Sequence, residues 1–148
     1  MDRALSIRIL DSHWERTLAQ ARSLGIETSR DEKDPLLVYV RYCFQSPGDR
    51  YLGLLSCEDY DEKPPRLDFA NPENPADQGK QWWPKMSQAP VVLENGQTVL
   101  CTPGTRGYHE HSSHRGETHP KSVWYLPKVL SVLWKYFHWG DYQGRGIG

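Results

Sequence analysis

The sequence predicts a single α+β domain, residues 1 to 148, in which an antiparallel β-meander is flanked by an N-terminal and a C-terminal helix. Three observations predict it: helical periodicity confined to the end segments, β-rich runs grouped between them, and tight-turn signals separating those runs. Asp11 or Ser12 is placed to cap a first helix running to about Leu24, with Glu15 completing a capping box after Ser12. Trp14, Leu18 and Ala21 share one face of that helix, and Gly25 is placed to end it. The polar stretch from Thr28 to Asp34 reads as a loop. Leu36 to Phe44 and Tyr51 to Cys57 are β-rich runs joined by turn residues, which predicts a hairpin. Pro64 and Pro65 force an extended approach to a short strand from Arg66 to Phe69. Ala70 to Pro90 reads as a long irregular segment, pinned to the core by Trp82 and Trp83. Val91 to Leu93 and Thr98 to Cys101 flank Asn95-Gly96, the strongest short hairpin signal. Thr102 to Lys121 is punctuated by proline and glycine and reads as loop. A helix comes next, from near Ser122, or from Pro127 as a first-turn proline, to about His138, with Leu126, Leu130, Leu133 and Phe137 at helical spacing. Residues 140 to 148 are glycine-rich and predict a flexible tail.

Bulk properties narrow the function classes. A chain of 148 residues buries one real core. The formal net charge of -1 argues against the basic face of a nucleic-acid binder. No apolar run approaches the ~20 residues a membrane helix needs, and Met1 to Leu10 lacks the apolar stretch of a secretory leader. Three cysteines, an odd number, argue for a reducing cytoplasm rather than a disulfide framework.

Each thiol is therefore read singly. Cys43 and Cys57 fall within strands and read as small buried hydrophobes. Cys101 ends a short strand against a Pro/Gly-rich loop, where a rigid scaffold presents an accessible nucleophile. Backbone N–H groups of Thr102-Pro103-Gly104 would then lie near an oxyanion. The plainer reading of Cys101 is a strand-end core residue. His109, His111 and His114, with His119 nearby, admit three readings: acid/base support of a thiol by His109 or His111, a metal site, or a solvated loop. Arg106 and Arg115 read as surface cations flanking the run.

Three motifs in this order resemble the ubiquitin-conjugating enzyme family. Tyr51-Leu52-Gly53-Leu54-Leu55, then Tyr60 through Pro65, then Leu67 and Phe69, is similar to the family's strand, Pro-Pro turn and strand. Asn95-Gly96, with Leu100-Cys101 after it, is similar to the short extended piece that delivers the family's reactive cysteine. Trp124 with the apolar helix from about Lys128 is similar to the tryptophan and helix on the C-terminal side of that cysteine. There are two departures. The family's His-Pro-Asn is not found before Cys101, the nearest candidate being Asn71-Pro72-Glu73-Asn74 far upstream. The Cys101–Trp124 gap is long and carries the histidines, more like divergent bacterial members. The resemblance implies a carrier that holds a ubiquitin-like modifier as a thioester on Cys101, with His109 or His111 standing in for the missing motif. It also implies three partners: an activating-type enzyme that uses ATP, the modifier, and a protein target. It implies no organic cofactor in this chain and no metal. Arg16 and Arg22 on the first helix become candidate contacts for the activating enzyme. A non-catalytic interaction module of the same fold, or a small metal-dependent hydrolase on the histidine loop, are the competing expectations.

Overall fold

A computed structural model of the chain describes residues 1–111 and 113–147. Helix α1 spans Arg3–Leu24. Strands β1 Glu27–Arg30, β2 Leu37–Cys43, β3 Arg50–Ser56, β4 Arg66–Asn71 and β5 Asn74–Gln78 form one antiparallel sheet in sequential order. A 3-10 turn at Lys80–Trp82 leads to β6 Pro84–Met86, and the hairpin of β7 Val91–Glu94 and β8 Gln97–Leu100 comes next. Then come α2 Arg106–Glu110, a 3-10 turn at Lys121–Trp124, α3 Leu126–Phe137 and β9 Tyr142–Arg145. The architecture is α+β, with the N-terminal helix and α3 packed on one face of the meander. Among the described residues, no helix is long and apolar enough to cross a membrane.

Alternation within the strands builds the core. Val38 and Val40 of β2, Tyr51 and Leu55 of β3 and Phe69 of β4 face the helices and are buried. Against them α3 buries Leu126, Val129, Leu130, Leu133, Tyr136 and Phe137. Six such side chains correspond to roughly 10 kcal/mol of gross hydrophobic stabilisation. Leu52, Leu54 and Ala70 form a second, smaller cluster on the opposite face with Leu37 and Tyr39. The same period of two corrects the reading of Cys43: it follows inward Val38 and Val40 at an odd position and is exposed, whereas Cys57 is fully buried.

Several boundaries differ from those expected. α1 begins at Arg3, where Asp2 accepts the Ala4 N–H at 3.1 Å, and not at Ser12. Its buried stripe is Ser6, Leu10, His13, Thr17 and Ala21, mostly small or polar, so the hydrophobic period is faint. Gly25 does end it, in the left-handed region at φ 68°. The polar Glu27–Arg30 segment is an edge strand paired to β2, not a loop. Residues 70 to 90 hold β5 and β6 around Trp83, which is buried against Phe69 and Tyr136 and donates its indole N–H to Asp68 at 2.9 Å. The C-terminal segment is corrected most: expected as a flexible tail from 140, it forms β9, which pairs with β6, and the Gly146 N–H bonds the Trp83 carbonyl at 2.8 Å. Gly148 lies outside the described residues. Tyr142 anchors the strand by stacking on Phe44 at 3.9 Å and donating its hydroxyl to Asp49. Tyr142→Ala is therefore expected to cost about 2–4 kcal/mol in urea unfolding. A loss below about 0.5 kcal/mol, the level of an ordinary surface change, would mean that β9 is only loosely attached.

Candidate active site

The turn between β3 and β4 ties together α1, α3, Trp124 and the segment that follows Cys101. Tyr60 is buried there, and its hydroxyl accepts the Leu126 N–H at the start of α3 at 2.9 Å. It also lies 2.8 Å from Nδ1 of His13 on α1. The Asp61 carbonyl accepts the Trp124 indole N–H at 2.7 Å. From the other side Arg106 enters the same turn. Its Nε donates to the Pro64 carbonyl at 2.8 Å, its Nη2 to the Glu58 carbonyl at 2.7 Å, and its backbone N–H to the Pro65 carbonyl at 2.8 Å. Arg106 is buried, and nothing in its motif marks it as more than a surface cation.

Cys101 is thereby held between two fixed points. Upstream, β8 pairs with β7 across Asn95-Gly96, both at positive φ as a two-residue hairpin requires, and the Cys101 N–H reaches the Pro90 carbonyl. Downstream, Arg106 fixes α2, and Gly107 lets that short helix rest close against Val99. Between them Gly104 adopts φ 132°, a conformation open to glycine, and donates its N–H to Nε2 of His109 at 3.1 Å. The thiol is half-buried. Burial pushes it above the ordinary thiol range, and the nearby Glu94 charge adds to this.

The histidines take roles other than those expected of them. His109 uses Nε2 as an acceptor, so its ring proton sits on Nδ1. Burial first, then His119, holds it below the ordinary imidazole value, which keeps it neutral near pH 7. Its ring packs edge-on against Trp124 and His119. His111 lies 3.3 Å from Glu94 through Nε2 and 2.6 Å from the Ser113 hydroxyl through Nδ1. Among the described residues, no hydrogen bond joins either ring to the Cys101 sulfur. The oxyanion donors expected after Cys101 are also engaged: Thr102 N–H bonds the Leu100 carbonyl, Gly104 N–H bonds His109, and Pro103 has none. His114 and His119 converge instead on Glu117, which Tyr108 also contacts at 2.7 Å. No set of three or more His, Cys, Asp or Glu among the described residues has metal-holding geometry. Glu94 and Glu117 are invisible at the level of sequence because an isolated glutamate in a polar loop carries no pattern.

No model of a known protein family matches the chain, and no curated protein matches it significantly.

A thiol pushed up by burial has a small thiolate fraction at neutral pH. Alkylation of Cys101 by iodoacetamide is therefore expected to rise about tenfold per pH unit and to keep rising beyond pH 9. Peptide-resolved mass spectrometry separates it from exposed Cys43, and a plateau near pH 7 would contradict this environment. The Tyr108 hydroxyl, His114 and His119 hold the Glu117 carboxyl down from 4.5 to about 2. That contribution is complete above pH 4.5 and is lost as pH falls toward 2. Glu117→Gln should likewise loosen this loop, so that trypsin cuts after Arg115 several-fold faster at neutral pH; an unchanged rate would show that Glu117 does not hold it.

Proposed function

We propose that this chain is a ubiquitin-conjugating-like carrier, akin to divergent bacterial members of that family, which accepts a ubiquitin-like modifier on Cys101. The observation that carries the proposal is convergence. The three stretches that resemble the family are far apart in sequence, yet the Pro64-Pro65 turn is bonded both to Trp124, through the Asp61 carbonyl, and to Arg106 in the segment just after the half-buried Cys101. The single-domain α+β frame, with a helix before the meander, is compatible with the family's fold.

In the proposed reaction the Cys101 thiolate attacks the thioester carbonyl of a modifier held by its activating enzyme. The tetrahedral adduct collapses, the activating enzyme's thiolate leaves, and the acyl group stays on Sγ. An amine of the target then attacks the new thioester and loses its proton, and the Cys101 thiolate is expelled. ATP is consumed by the activating enzyme alone, so this chain needs no cofactor. A raised thiol pKa slows the first attack at neutral pH and makes Cys101 a poorer leaving group, so the loaded thioester reacts more slowly with water and with the target amine alike. His109 serves as a loop-positioning residue rather than a base, since its lone pair is occupied by Gly104. Arg16 and Arg22 are exposed on α1, open to the activating enzyme.

One observation favours the competing reading of a non-catalytic module of the same fold: the backbone donors just after Cys101 are already engaged. Incubation with a candidate activating enzyme, modifier and ATP separates the two. The carrier reading expects an adduct that reductant removes, that Cys101→Ala abolishes, and that Cys43→Ala and Cys57→Ala retain. No adduct with an activating enzyme shown to be loaded itself would contradict it.

A further inference from the structure

The cleft beside the Cys101 hairpin carries an inference that rests on the carrier reading and deepens it. It has a volume of about 360 Å³ and lies between the sheet face that bears Leu37 and Leu54 and the hairpin. Every hairpin residue lining it belongs to the turn or to β8, from Gly96 to Val99. The β8 edge away from β7 therefore faces the cleft. Because Gln97 pairs with Glu94 across a two-residue turn and the Cys101 N–H bonds Pro90, the ladder bonds fall at 97, 99 and 101. Thr98 turns its N–H and C=O the other way, and among the described residues neither has a hydrogen-bond partner. An unpaired donor and acceptor on an open strand edge is the arrangement to which an extended peptide adds as a strand.

Charge narrows the occupant. Arg66 and Lys80 line the cleft, and among the described residues Asp68 is the only carboxylate lining it. Asp68 is already bonded to the Trp83 indole and the Phe69 N–H. Arg66 is only loosely paired, at 3.8 Å from Glu110, and Lys80 has no ion pair among the described residues. Cys101 is three residues beyond Thr98, about 10 Å along an extended chain.

We infer that the open edge of β8 binds an extended, acidic segment of the acceptor protein by strand addition and leads its lysine to Cys101. Apolar side chains of that segment rest on Leu37 and Leu54, and its carboxylates meet Arg66 and Lys80.

The test uses an acetylated, amidated peptide of alternating valine and glutamate with a lysine at one end, titrated into the full chain by amide NMR. Expected are shifts centred on Thr98, Leu100 and Gly79. Loss of binding is expected for the peptide N-methylated at alternate residues, and weakening of about tenfold or more for Arg66→Glu with Lys80→Glu. Thr98→Pro removes the edge donor without touching the β7 ladder and is expected to abolish binding, with its thermal transition recorded to check the fold. If Thr98→Pro does not fold, the charge-reversal variant and the N-methylated peptide still decide. Binding that survives N-methylation, or shifts away from the cleft, would overturn the inference. The titration uses protein that carries no modifier, so the two claims fail separately. A thioester without peptide binding sinks the inference alone. Peptide binding without a thioester sinks the carrier reading and, with it, the acceptor role given to the segment.

Discussion

A buried guanidinium is the constraint on which the Cys101 region depends. Arg106 is buried with no carboxylate partner among the described residues, and three backbone carbonyls of one turn satisfy it and its N–H. Burial lowers its pKa, but an arginine stays charged, so the bonds cannot be relieved by loss of a proton. Charge-assisted bonds of this kind are worth about 1.5–3 kcal/mol each, and removing the donor leaves the carbonyls unmet as well. The turn they hold is itself tied to α1 and α3 through Tyr60 and to Trp124 through Asp61. One short segment thus couples both helices, the sheet and the thiol loop.

The chemistry proposed for Cys101 depends on this anchoring. A loop fixed at Pro90 on one side and at Arg106 on the other holds the thiol half-buried, and burial is the first cause of its raised pKa. The same packing keeps His109 neutral and occupied, so its contribution is to shape the loop.

The features legible in the sequence are those that local rules encode. Asn95-Gly96, the β-rich runs, Pro64-Pro65 and the leucine spacing of α3 each name their own structure, and Cys101 stands out by its place after a hairpin. The features that are not legible depend on partners distant in the chain. The first half of α1 buries Ser6, which gives no hydrophobic signal, and β1 exists because β2 offers it an edge. β9 forms because Tyr142 finds Phe44 and Asp49. Arg106 looks like any loop arginine because its partners are carbonyls of another turn, and backbone acceptors leave no trace in residue identity. The histidines suggest acid/base chemistry by type, but their roles are set by Gly104, Glu94 and Glu117.

The most direct measurement is hydrogen–deuterium exchange on Arg106→Met, read alongside loading of Cys101. If the guanidinium anchors the loop, amides from 102 to 110 exchange faster by about tenfold or more. Those of the central strand β3 keep their protection, and loading falls although the thiol is intact. Unchanged exchange in 102 to 110, or full loading despite the substitution, would contradict the claim that this guanidinium holds the Cys101 loop in place for the proposed chemistry.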